Sequence, residues 1–248
     1  MNLWTLELAR LTRTYRWMLL FGLYAFFGAL GPLTARYMNE IIGQFGGDVT
    51  IVAPDPRPVD GIVQFVGNAS QLGLLAIAVV AAGSLAVDAR PEVAAFLRTK
   101  ISRARDLLLP RYAVTAAAAV LALLLGTAIA WAMTGSLLGS LSVAAMLVGT
   151  LYGALYLAFA IAVVAVVAGV VRSQVATVFG SLAVLLLLPM IALIEAVRPW
   201  LPSELLTAIG ALLEGASAGD FARAVTTTLV VTPALLALAT RRFALREL

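Results

Sequence analysis

Residues 96–112 read FLRTKISRARDLLLPRY and hold five bases, Arg98, Lys100, Arg103, Arg105 and Arg111, in a chain of which only 12% of residues are charged. Guanidinium groups at this density recognise carboxylates, phosphates or an acidic partner surface. Arginine keeps its charge at any ordinary pH, so the cluster performs no acid–base catalysis. The chain has no His and no Cys. That removes Ser-His and Cys-His catalysis, imidazole zinc sites, disulfides and thiolate chemistry. The neighbouring acids Asp88, Glu92 and Asp106 are too isolated to form a metal or phosphate site. No catalytic residue and no metal ligand is therefore expected, and what the bases touch depends on the elements around them.

Those elements are apolar. The 248 residues are 62% hydrophobic, with a mean hydropathy of +1.01. Soluble domains carry about a quarter charged residues and about half apolar ones, so this is an integral membrane protein. The net charge of +4 and the pI near 9.8 do not indicate nucleic acid. The bases fall in short intervals between apolar runs, which is the pattern of membrane topology rather than of a binding face. Sixteen Arg against one Lys, with abundant Ala, suggest GC-rich bacterial coding and hence a bacterial inner membrane.

A hydrocarbon core about 30 Å thick needs roughly 20 apolar residues. Six runs qualify: about 17–38, 70–88, 110–133, 141–171, 174–196 and 222–240. The first is longer than a signal-peptide core and lacks a small-residue cleavage site, so it is expected to remain. Gly31-Pro32 is expected to kink its outer half. With the N-terminus inside, 13 of the 17 bases fall in inner segments and four (Arg36, Arg57, Arg198, Arg223) in outer ones. The positive-inside rule then places both termini in the cytoplasm. The expected fold class is an all-α integral membrane protein of six transmembrane helices, N-in and C-in, forming one domain over residues 1–248.

Residues 1–16 carry Glu7, Arg10 and Arg13 on one helical face and Trp4, Leu8, Leu11 and Tyr15 on an apolar stripe. This predicts an amphipathic helix in the inner interface, with its arginines among anionic head groups. The outer stretch 39–69 contains Pro54, Pro56, Pro58, Gly43, Gly46 and Gly47, which exclude one continuous helix. Before the last span, Ser203 is the expected cap of a short outer helix whose apolar residues recur at three-four spacing. Gly215 and Gly219 are expected to end it.

On the inner side, Pro91 suits a helix first turn, and Val93, Phe96 and Leu97 form an apolar patch beside Arg90, Glu92 and Arg98. After a turn, Ser102 is the expected cap of a helix leading into the third span. Topology needs only a few bases, so the excess length and the apolar patch favour a docking element over a plain charged loop. Within the spans, Arg36 and Glu195 are the nearest candidates for buried charge; they either pair or snorkel. So few intramembrane charges argue against a proton- or sodium-driven transporter. Gly149 and Gly153 form a small-xxx-small pair, and Tyr152 and Tyr156 share nearly one face of the same helix. Helix packing and the lining of a path are both open for these four.

The layout over the whole chain resembles the membrane subunit of type-2 ABC exporters. The most specific local match is DARPEVAAFLRTKISRARDLLLPRY, residues 88–112, with Ser102-Arg103 followed by Leu107-Leu108-Leu109. The acidic, Gly-Thr-containing start often seen in that family is replaced by Arg90-Pro91-Glu92-Val93. The resemblance implies a permease working with a second copy or a homologous permease in the lipid bilayer. Each would dock on a cytoplasmic ABC ATPase through a coupling helix containing Arg90, Glu92, Val93, Phe96, Leu97 and Arg98. ATP and Mg would be bound by that partner: this chain has no phosphate-binding Gly-rich loop and no cofactor of its own is expected. A hydrophobic or amphipathic cargo, such as a drug, peptide or lipid-like molecule, would be exported. A non-catalytic accessory subunit and a membrane-embedded lipid-modifying enzyme remain the alternatives.

Overall fold

A computed structural model describes residues 3–45, 55–86 and 103–245. Nine α-helices are formed among these residues: α1 (Leu3–Arg13), α2 (Arg16–Phe45), α3 (Pro58–Asn68), α4 (Leu74–Leu85), α5 (Ala104–Leu137), α6 (Val143–Val170), α7 (Gln174–Ile191), α8 (Glu204–Leu213) and α9 (Ala222–Ala244). One π-turn, Ala69–Gly73, joins α3 to α4 without a break. Six helical stretches are long and apolar enough to cross a membrane: α2, the α3–α4 unit, α5, α6, α7 and α9. The fold is the expected six-span all-α bundle.

The second span departs from expectation. It starts at Pro58 rather than near residue 70. Proline is tolerated in the first turn because its missing N–H has no intrahelical partner there. The backbone N–H of Arg57 donates to Asp60 Oδ2 at 2.7 Å, which satisfies one end of the turn. The outer stretch is shortened from its other side too, since α2 runs on to Phe45. Pro32 lies inside α2, which is one helix from Arg16 to Phe45.

Lipid removes the hydrophobic drive between helices, so close contact depends on small residues at crossings. Gly28 of α2 rests directly on the Gly126 carbonyl of α5, and a Cβ on Gly126 would stand 2.7 Å from the Tyr24 carbonyl. A Cβ on Gly31 would stand 2.7 Å from the Phe65 amide of α3. These crossings bind α2, α3 and α5 into one block. The uncharged α6 forms the centre of the other half, packing against α4, α5, α7, α8 and α9. Its 18-residue core window is 61% buried, against 17% for the last span, whose outer faces are left to lipid or a partner.

Replacing Gly126 by Val should cost about 1–3 kcal/mol as an overpacking change. Gly22, with nothing within 4 Å of a Cβ, should tolerate Ala without loss. Thermal unfolding of both variants in detergent checks the contrast.

Candidate functional site at the inner face

The six residues read as a docking element, Arg90, Glu92, Val93, Phe96, Leu97 and Arg98, lie outside the described residues, as does Ser102. The two roots of that inner segment are described. They are Leu85, where α4 ends, and Arg103–Ala104, where α5 begins. Between them the structure builds a buried ionic cluster.

Its centre is Glu7, on the inward face of α1. Glu7 is 3% exposed and Arg111, two turns into α5, is 4% exposed. Glu7 Oε1 stands 3.0 Å from Arg111 Nε, an ion pair whose angle falls short of a hydrogen bond. The other carboxylate oxygen, Oε2, stands 3.5 Å from Arg10 Nη1 and accepts from Ser84 Oγ at 3.5 Å. Both arginines also reach the last turn of α4. Arg111 Nη1 donates to the Ser84 carbonyl at 3.0 Å, and Arg10 donates to the carbonyls of Gly83 and Ser84.

The chemistry of a helix end explains this arrangement. The last carbonyls of α4 lack intrahelical partners and carry the negative end of the helix dipole. Cationic donors stabilise that end. Two arginines against one carboxylate would leave excess positive charge, and the α4 carbonyls absorb part of it. Gly83 leaves room for the Arg16 guanidinium, which a Cβ there would meet at 2.6 Å and push aside. The cluster therefore joins α1, the inner ends of α4 and α5, and the first turn of α2.

Helix length makes burial at this depth tolerable. At about 1.5 Å per residue, a 34-residue helix such as α5 spans about 51 Å, well beyond the hydrocarbon core. Arg111 thus lies near the inner rim rather than at the bilayer centre. The corner that folds α1 back is made by Tyr15, which adopts φ +54°. This left-handed conformation costs a non-glycine residue roughly 1–2 kcal/mol. The exposed face of α1 carries Trp4 and Leu8. The expected amphipathic helix is present, but Arg10 turns toward the protein instead of toward head groups.

The remaining candidates are placed separately. Arg36 and Glu195 are both exposed, and no ion pair between them is formed among the described residues. The Arg36 guanidinium lies 5.7 Å from the centre of the Tyr37 ring. Gly149 admits α8 against α6, where a Cβ would stand 2.5 Å from Ile209 Cβ; at Gly153 the nearest neighbour is Leu123 of α5. Tyr152 donates to the Ala218 carbonyl at 3.0 Å and packs on Phe221. Tyr156 is buried, with its ring 6.1 Å from that of Phe159. No group of three or more acids capable of holding a metal occurs among the described residues.

No family model, curated protein or solved structure matches this chain.

Breaking a buried ion pair by removing one partner costs about 3–5 kcal/mol, because the other charge is left uncompensated. Glu7→Leu removes the one carboxylate facing both Arg10 and Arg111 and leaves them only the α4 carbonyls, whereas Arg111→Met leaves Glu7 its contact with Arg10. Glu7→Leu should therefore be the more damaging single change. The double variant should lose less than the two singles added together. Unfolding in detergent of the four members of this cycle gives the coupling directly.

Proposed function

We propose that this chain is the membrane-spanning permease subunit of an ATP-driven transporter of the type-2 ABC exporter kind. Its inner segment, about residues 88–105, docks a separate cytoplasmic ATPase. That partner binds ATP and Mg, and the membrane subunit hydrolyses nothing. Two permeases, either copies of this chain or this chain with a homologue, complete the unit in a bacterial inner membrane. The cargo is hydrophobic or amphipathic and moves outward.

The observation that carries this reading is the ionic cluster at the roots of the inner segment. A loop that only fixed topology would need bases near the membrane but no rigid base. Here Glu7, Arg10, Arg111 and the Gly83 and Ser84 carbonyls lock both roots to each other and to the interfacial helix α1. A force applied to the segment by a partner would pass into α4 and α5 together. Most of α4 is buried against α5, α6 and α7, so that force reaches the bundle centre.

Affinity purification of the chain from native membranes in mild detergent, with mass spectrometry of its partners, is the direct test. A cytoplasmic ATPase should co-purify in stoichiometric amount. Replacing Phe96 and Leu97 together by Asp should abolish that association and ATP-driven transport while leaving membrane insertion intact. A homo-oligomer without ATPase in several detergents, or normal transport by the double variant, overturns the reading.

A further inference from the structure

On the outer half of the bundle, α4, the π-turn, α7 and the segment leading into α8 line a cleft of about 470 Å³ that opens to its surroundings. One wall is apolar: Leu74, Leu185, Leu186, Pro189 and Leu193 line it. Leu186 and Leu193 are exposed, so the wall continues onto the lipid-facing surface of α7 and the turn beyond it. The opposite end is polar, formed by Gln71, Arg198, Ser203, Glu204 and Thr207.

Three observations suggest a built site rather than a packing fault. Ser203 Oγ is buried and has no hydrogen-bond partner, although it stands where a helix cap is expected. A buried hydroxyl without a partner costs roughly 1–3 kcal/mol, a cost that the wall of the cleft carries. The wall beside it contains the π-turn, with Leu74 N–H donating to the Ala69 carbonyl five residues back. Such turns insert one extra residue and recur at functional sites. Here Gly73 packs on the Tyr24 ring while Ser70, Gln71 and Leu74 face the cleft. Finally, the only charged groups lining the cleft among the described residues are Arg198 and Glu204, paired at 3.1 Å.

That pair selects the occupant. A net anion would meet the Glu204 carboxylate, and a net cation would meet the Arg198 guanidinium. A head group carrying both signs can place each charge against its opposite. We propose that the cleft binds one acyl chain and the zwitterionic head of an outer-leaflet phospholipid, with the phosphate at Arg198 and the ammonium at Glu204. That this lipid class is also the transported cargo rests on the permease reading; the binding itself does not.

The test uses the purified full-length chain in vesicles of equal parts phosphatidylethanolamine and phosphatidylglycerol, without any ATPase. A trace of either lipid carries a diazirine in one acyl chain, and crosslinks are mapped by mass spectrometry. The phosphatidylethanolamine probe should label Leu186, Pro189 and Leu193 several-fold above the lipid-exposed Phe179 and Leu229. Excess lyso-phosphatidylethanolamine should compete that labelling away. Glu204→Gln should turn the preference toward the phosphatidylglycerol probe, and Arg198→Gln should weaken the phosphatidylethanolamine signal without that reversal. Arg198 is largely exposed, so its variant keeps the test open if Glu204→Gln disturbs α8. Labelling spread evenly over all exposed residues would mean bulk lipid only and would overturn the proposal. So would equal labelling by both probes in the unaltered chain. Because no ATPase is present, these outcomes stand apart from the success or failure of the permease reading.

Discussion

A carboxylate withdrawn from water at the edge of a bilayer must be neutralised where it stands, and Glu7 is such a group. Its pairing with Arg111 fixes the position of α1 against α5, and the spare donors of Arg111 and Arg10 fix both against the end of α4. Desolvating two charges costs several kcal/mol per ion unless additional hydrogen bonds accompany the pair. The cluster meets that condition with backbone carbonyls, which cannot move away without unwinding α4. Its contribution is therefore geometric: it allows one arrangement of the inner helix ends and excludes neighbouring ones.

Away from the inner face, the constraint is close packing rather than charge. The α2–α5 crossing at Gly28 and Gly126 brings backbones into contact, and the α6–α8 crossing at Gly149 does the same on the outer side. The short helix α8 is therefore part of the bundle: Leu205, Ala208 and Ile209 are buried against it. Tyr152 extends the same attachment by holding the Ala218 carbonyl. The outer connection between the last two spans is thus fastened at two places along α6, which leaves α7 packed mainly through α4 and α6.

The architecture was legible in sequence because a bilayer imposes a length and a charge rule that few other environments impose. Six apolar runs and the short helix before the last span could be read, and Gly215 ends α8 at φ +103°. The start of the second span was not legible. Three prolines and several glycines read as a loop, although Pro58 in a first turn is compatible with a helix and Asp60 completes it. The ionic cluster was hidden for a different reason. Glu7, Ser84 and Arg111 are distant in the chain, and each resembles an ordinary flanking residue. The available signal was the acid itself: Glu7 is the lone carboxylate in a basic N-terminal flank, three residues before Arg10. An isolated acid among topology-setting bases has a local partner or a distant one, and here it has both.

The placement of the cluster also bears on how firmly the inner helix ends are held to one another. Span ends joined only by a flexible loop move independently, and a push on the loop is absorbed by the loop. Ends joined by short charged contacts to backbone move as a body. In this chain such contacts tie together α1, the inner turns of α4 and α5 and the start of α2, while the glycine crossings hold α2 against α5 farther out. The π-turn lies in the same span as Ser84, about eleven residues further out, beside the amphipathic cleft. At about 1.5 Å per residue that separation is roughly 16 Å. Because α4 is regular and enclosed by α5, α6 and α7, the π-turn is the one irregularity in that span between the ionic cluster and the amphipathic cleft.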